Sequence, residues 1–403
     1  MYFKSMTDSI NSIHQSLEMT NTILPRILFC SGIFPPAIGG PGTVLTKLIP
    51  GLIDRGFTCT VATFGLDDKI ARNYKVERVP LSTPQPGRLL RVLAQIWRLG
   101  RQHDIIYATD TYTHGLAALL VSKLQHKPFI LRFTGDAAWE SAFNHGVTKD
   151  YIVPFQTKWY GPKIAFRKWL RKQILKGADR IITDCEFLKN LIGIIGVDKN
   201  KVTVINNAIE ALPEADSIKN FGSHVLFTQG RLVPWKGVAA IIDALLVIQK
   251  RFPDAKLLIM GDGPEEEKLK LIVNSYELRD SVIFLGKVTD KKQKKAYYQA
   301  SRIFVLNTFY EGMSNTLPEA ASQGLPIITT GAGGNPEFVD ANNGRIVEYN
   351  NTQQIADAVI ELFSSPELAK KLGENGQERA KRYTIKALAE KNIEVIMNCV
   401  ENP

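Results

Sequence analysis

Short apolar runs alternate with stretches of helical periodicity along almost the whole chain. In the first half, residues 27–30, 58–63, 105–108, 129–133, 180–183 and 202–205 are rich in Val, Ile, Phe and Thr and read as strands. Between them, residues 44–54, 88–99, 116–124 and 186–195 carry apolar residues three and four apart, the spacing of an amphipathic helix. The pattern stops at 207–223, a polar segment containing Pro213, and then begins again. Strand runs at 225–228, 256–260, 282–285, 303–306 and 327–329 are separated by helical runs at 238–249, 265–273, 291–299 and 317–323, followed by a helical tail. Strands alternating with helices predict mostly parallel sheets with right-handed crossovers. The predicted fold class is therefore α/β, two Rossmann-like parallel-sheet domains facing across a cleft. The boundaries read as a polar, flexible leader at 1–22, a first domain at 23–206, a linker at 207–223, a second domain at 224–384 and a last helix at 385–403.

A length of 403 residues supports this division, since two domains of about 200 residues each bury a core of their own. With 44% apolar and 22% charged residues the chain is that of a soluble globular protein. No apolar run approaches the ~20 residues needed to span a bilayer, and the start has no signal-peptide core. The expected location is the cytoplasm. Cys30, Cys59, Cys185 and Cys399 are scattered, and the histidines form no metal-ligand spacing, so neither a disulfide framework nor a metal is expected.

The net charge of +10 changes the picture, because it is uneven. Residues 158–176 hold seven cations (Lys158, Lys163, Arg167, Lys168, Arg171, Lys172 and Lys176) and no acids, interleaved with Trp159, Tyr160, Phe166 and Trp169. Basic residues with Trp and Phe on an amphipathic stretch read as a contact with an anionic membrane surface, peripheral at its inner face. The competing reading is a helix whose aromatic stripe packs on its own domain while its cations are solvated. Nucleic acid is not expected, because no recognised reading module accompanies the charge.

Candidate chemistry gathers at strand ends of the second half. The run at 303–306 leads into Glu311-Gly-Met-Ser-Asn-Thr-Leu-Pro-Glu319, a strand-to-helix turn flanked by two carboxylates. Such a turn aims backbone N–H groups at an anion, and the carboxylates accept hydrogen bonds from sugar hydroxyls. Upstream, the run at 225–228 delivers Gly230-Arg231 and Lys236-Gly237, cations suited to a diphosphate, at the strand end where open α/β sheets bind ligands. Gly39-Gly40-Pro41-Gly42 follows the first strand, where glycine permits close approach of a phosphate.

In this order, with Asn207-Ala-Ile-Glu210, Phe284-Leu-Gly286 and Gly333-Gly-Asn-Pro-Glu337, these pieces make the chain resemble the retaining glycosyltransferases of family 4, which have the GT-B fold. The resemblance covers about residues 25 to 385. It implies that Arg231 and Lys236 stabilise the departing nucleotide, that Glu311 holds the transferred sugar and that Glu319 holds the ribose. The N–H groups of Ser314, Asn315, Thr316 and Leu317 would meet the phosphate, Gly40 would face it from the first domain, and the base would lie on Gly286, Lys287 and Val288. The final helix would cross back to the first domain. Where the family commonly has a His, this chain has Asp136, read either as an acid acting on the acceptor or as a helix N-cap. Glu140 is a second acid there, and His114 a structural candidate. The resemblance further implies retention without a covalent enzyme intermediate and without metal or other cofactor, a nucleotide-diphosphate sugar being the co-substrate. The acceptor would be lipid-linked or a saccharide, in cell-envelope, capsule or exopolysaccharide synthesis.

Two other classes compete. A sugar-nucleotide epimerase or hydrolase on a similar frame would consume donor without acceptor, and a non-catalytic sugar-binding subunit would not need Arg231, Lys236, Glu311 and Glu319 together. A nicotinamide dehydrogenase is disfavoured, since no Gly-x-Gly-x-x-Gly follows the first strand, and no P-loop sequence is present.

Overall fold

The computed structural model describes residues 24–401 apart from 38, 67, 69, 83, 85, 86, 216 and 217. The leader expected at 1–22 lies outside the described residues. A first sheet contains β1 (Arg26–Ser31), β2 (Thr58–Phe64), β3 (Lys75–Val79), β4 (Ile105–Ala108), β5 (Phe129–Arg132), β6 (Arg180–Thr183) and β7 (Val202–Val204) in the spatial order 3-2-1-4-5-6-7. A second contains β8 (Val225–Gln229), β9 (Lys256–Met260), β10 (Val282–Gly286), β11 (Ile303–Leu306), β12 (Ile327–Thr330) and β13 (Gly344–Val347) in the order 10-9-8-11-12-13. Every pairing is parallel.

The helices of the first lobe are α1 (Gly40–Ile53), α2 (Gly87–Gly100), α3 (Thr113–Leu124), α4 (Ala137–Asn144), α5 (Ile152–Phe155), α6 (Pro162–Gly177) and α7 (Glu186–Ile195). Those after the linker are α8 (Val238–Gln249), α9 (Glu266–Ser275), α10 (Lys291–Gln299), α11 (Thr316–Ser322), α12 (Asn335–Phe338), α13 (Thr352–Ser364), α14 (Pro366–Ala380) and α15 (Ile385–Glu401).

Helices on both faces explain the unbroken apolar runs. Along β1 the side chains alternate, so that Leu28 and Cys30 enter one core while Ile27 and Phe29 enter the other. The sequence missed β3 and β13 because both are edge strands: β3 reads Lys-Val-Glu-Arg-Val and is only partly buried, and β13 includes Arg345 and the exposed Ile346. The segment read as a helical tail after 329 thus contains α12 and β13 before its three long helices.

The last helix returns to the first lobe. Leu388, Ala389, Ile396 and Cys399 of α15 join the core formed by α1 and β1, and the Tyr107 hydroxyl donates to buried Asn392 (3.1 Å). The chain passes between the lobes twice, once between β7 and β8 and once at Tyr383–Thr384. The two crossings are tied together by the Ile209 N–H on the Tyr383 carbonyl (2.8 Å).

Candidate functional site

Strand ends of the second lobe place the cations and carboxylates together. After β8 the chain turns through Arg231 and a single 3-10 turn (Pro234–Lys236), which directs the Lys236 ammonium onto the Glu311 carboxylate from the loop after β11. Burial lowers Lys236 to about 8, opposed by the negative charge of Glu140. Glu140 comes from the other lobe, on the first turn of α4. Burial, then the neighbouring charge of Asp136, raises its carboxyl above the ordinary range, while Arg231 and Lys236 pull it back down. Two cations and two acids from both lobes therefore share one region of the cleft.

Glu319, in the first turn of α11, is held by the second lobe. Its Oε2 accepts from Lys294 Nζ (2.6 Å), and more weakly from Gln229 Nε2 and the Tyr298 hydroxyl (both 3.4 Å). Sequence reasoning missed these three partners. Lys294 stands in the run Lys291-Lys292-Gln293-Lys294-Lys295, which reads as solvated surface charge, and nothing in the sequence singles it out.

The turn between the two glutamates is fixed by packing. A Cβ on Gly333 (φ +57°) would lie 1.7 Å from the Glu311 carbonyl oxygen, so only glycine allows this approach. Ser314 and Thr316 exchange a hydroxyl hydrogen bond (2.9 Å). The Leu317 N–H is directed at the Ser314 carbonyl (3.3 Å), so it differs from the expectation that it points at a ligand. Gly40 opens α1, and a Cβ there would meet nothing within 4 Å, whereas Gly42 packs against Ile33 and Phe34. Gly286 (φ +62°) likewise faces open space at the end of β10, followed by exposed Lys287 and half-buried Val288.

Asp136 departs from its reading as an acid at the cleft. It caps α4 through the N–H groups of Ala138 (3.0 Å) and Trp139 (3.4 Å), accepts from Gln156 Nε2 (3.0 Å), and pairs with Arg171. Its side chain is 0% exposed and all these partners belong to the first lobe, so its oxygens do not face an acceptor. The acid that reaches the cations is Glu140, one turn along. His114 is buried with neither ring nitrogen hydrogen-bonded; burial lowers its pKa, opposed by the Asp110 carboxylate 3.9 Å from Nδ1, and its ring packs edge-on to Phe64.

The cleft is closed at one side by direct contacts between the lobes. Glu337 of α12 accepts from the N–H groups of Glu186 and Phe187 at the start of α7, and Gly333 N–H donates to the Tyr151 hydroxyl (3.0 Å). Trp139 lies among Trp235, Phe309 and Tyr310 of the second lobe, its ring centroid 4.8 Å from that of Tyr310. Asp184, at the end of β6, faces Gly312, and burial raises its carboxyl to about 6.

Known proteins are similar to this chain in sequence and in fold. Residues 214–379 match the family described as glycosyl transferases group 1, and residues 38–211 match glycosyltransferase family 4. An uncharacterised glycosyltransferase of Haemophilus influenzae is 28% identical over 193 residues, which is 47% of this chain and about half (54%) of that protein. The GDP-mannose-dependent alpha-(1-6)-phosphatidylinositol monomannoside mannosyltransferase of Mycobacterium tuberculosis is 24% identical, over 88% of this chain and 93% of that protein. Among solved structures, Anabaena HepE in complex with UDP and glucose superposes with a TM-score of 0.74 at 19% identity, covering 93% of this chain and 99% of that one. The two family matches adjoin and together run through both lobes, and the chain belongs to the family 4 (group 1) glycosyltransferases of GT-B fold.

Proposed function

We propose that this glycosyltransferase is a retaining, metal-independent hexosyltransferase that moves sugar from a nucleotide-diphosphate donor to a lipid-linked or saccharide acceptor in cell-envelope, capsule or exopolysaccharide synthesis. The observation that carries this reading is the cluster of Arg231, Lys236 and Glu311 at the strand ends of one lobe, with Glu140 facing it from the other. A diphosphate brings two or more negative charges, and in a partly closed site these require fixed cations.

In this reading the donor pyrophosphate displaces Glu311 from Lys236 and lies between Arg231 and Lys236. Glu311, released, accepts from hydroxyls of the transferred sugar, and Glu319 accepts from the ribose. Gly286, Lys287 and Val288 form the wall for the base, and Gly40 with the α1 start approaches the phosphates from the first lobe. As the glycosidic C–O bond breaks, negative charge grows on the leaving phosphate oxygen, which the two cations stabilise without a metal. An electrostatic contact of this kind is worth about 10²–10³ in rate. The acceptor oxygen attacks from the face that the phosphate leaves, and its proton passes to the departing phosphate oxygen. The configuration at the sugar carbon is thereby retained.

The donor is open between sugars of different bases, since GDP-mannose and UDP are named with two of the similar proteins. A thermal-shift screen of UDP- and GDP-sugars tests the reading. One donor should raise the melting temperature of the wild type, and the shift should shrink in Lys236→Ala and in Glu319→Ala. Product analysis then separates a transferase, whose donor consumption needs acceptor, from an epimerase or hydrolase. Donor turnover that is independent of acceptor overturns the proposal.

A further inference from the structure

The helices α2, α3 and α6 lie side by side on one face of the first sheet, and their outer surface is unused by the site. Together they hold ten Lys and Arg and no Asp or Glu, with three cations on α2, one on α3 and six on α6. That excess equals the +10 of the whole chain. Acids from neighbouring elements offset part of it, for Arg98 pairs with Glu77, Lys123 with Asp179 and Arg171 with Asp136. Lys163 and Lys176, near the two ends of α6, are exposed.

The same layer exposes large apolar side chains. The inward stripe of α6 consists of Ile164, Arg171, Ile174 and Leu175, so Phe166 and Trp169 are left outside. Phe166 is 59% and Trp169 54% exposed, one helical turn apart and stacked at 5.7 Å, and Trp159 just ahead of the helix is 72% exposed. Leu90 of α2 and Leu124 of α3 are 64% and 67% exposed. The reading in which the aromatic stripe packs on its own domain is therefore not what the fold shows. By contrast, the large apolar residues exposed among the described residues of the second lobe are Leu271, Tyr276 and Ile346, with no Trp or Phe. Exposed Trp and Phe among cations, on helices free of acids, match the two attractions of an anionic bilayer: apolar insertion at the headgroup boundary and Coulomb attraction to the headgroups.

The face also has a useful position. A crossover helix starts at the carboxyl end of its sheet, so Phe166 and Trp169 in the first half of α6 lie toward the cleft. Arg171 ties α6 to Asp136, the cap of α4, and α4 carries Glu140 into the cleft.

We propose that the α2–α3–α6 face docks on an anionic lipid bilayer, with Trp159, Phe166 and Trp169 entering the headgroup boundary and Lys163 and Lys176 meeting the headgroups. This deepens the transferase reading above and rests on its lipid-linked acceptor, which docking would bring to the cleft mouth. No helix among the described residues is long and apolar enough to cross a membrane.

The test is co-sedimentation of the full chain with phosphatidylcholine vesicles, alone or containing about 30% phosphatidylglycerol. Wild type should sediment with the anionic vesicles only, and about 0.5 M salt should weaken the binding. Phe166→Ser/Trp169→Ser and Lys163→Glu/Lys176→Glu should each lower the partition coefficient about tenfold or more. These positions lie on the surface, and an unchanged melting temperature in each variant confirms folding. Undiminished vesicle binding in both variants overturns the proposal. So does a loss confined to the charge variant and matched by loss of binding to a DNA oligonucleotide, since that marks a general polyanion site. The donor-induced thermal shift, read on the same samples, separates the two proposals. If it persists while vesicle binding fails, docking alone falls; if vesicles bind but no donor shifts the melting temperature, the transferase reading falls.

Discussion

Glu337 of the second lobe accepts hydrogen bonds from the backbone N–H groups of Glu186 (2.9 Å) and Phe187 (2.8 Å), the first residues of α7 in the other lobe. A carboxylate at that position satisfies two N–H groups that the helix itself leaves unpaired, and its charge complements the helix dipole. The cap is supplied across the cleft, so it contributes to the closed arrangement only while the lobes are together.

Replacing Glu337 should therefore loosen closure more than folding. A cap of this type is worth about 1 kcal/mol. Glu337→Ala is expected to accelerate amide exchange at Glu186 and Phe187 while the strands of both sheets stay protected. Unchanged exchange at those two amides would show that the cap adds nothing to closure.

Lys236 gives a pH dependence with a definite sign. Burial lowers its pKa to about 8 in the donor-free protein, so the ammonium is charged below that pH and loses its charge as pH rises through it. Donor affinity should be level below about pH 8 and weaken above it. Lys236→Arg remains charged throughout, so its affinity, though lower, should show no such decline. Titration of donor binding from pH 6.5 to 9.5 in both proteins decides the matter, and parallel curves would rule Lys236 out as the titrating group.

What the sequence made legible follows from what each type of residue tells by itself. The central strands declare themselves because both faces are buried, as in β1, where Ile27 to Cys30 are all inaccessible. The edge strands β3 and β13 do not, since polar residues on an edge look the same as a loop. Arg231, Lys236, Glu311 and Glu319 are candidates on the strength of glycines and strand ends, which are local signals. Lys294 is brought to Glu319 only by the packing of α10 beside β8 and α11, a tertiary relation that no local spacing encodes. The choice between Asp136 and Glu140 was of the same kind, because it depends on Arg171, 35 residues away in sequence.

That dependence makes Asp136 a test of stability. Asp136→Ala leaves the Arg171 guanidinium buried, at 3% side-chain exposure, without its counter-charge. Removing one partner of a buried pair typically costs about 3–5 kcal/mol. For a lobe of this size the melting temperature should fall by on the order of 10 °C. Adding Arg171→Met should restore much of the loss, since the unpaired charge is then gone as well. A stable Asp136→Ala protein that lacks turnover would return Asp136 to the chemistry.

Glu140 should behave in the opposite way. Its carboxylate raises the Lys236 pKa by Coulomb attraction across the cleft, so Glu140→Gln removes a charge that keeps the ammonium protonated. The pH at which donor affinity begins to weaken should then move below about 8, toward neutrality, while the melting temperature changes little. Acceptor-dependent turnover at pH 7 should drop by more than donor affinity does, because Glu140 comes from the lobe opposite the donor cations. An onset that stays at the wild-type pH in this variant would mean that the two lobes do not share one electrostatic site, and the pairing of Glu140 with Lys236 would have to be given up.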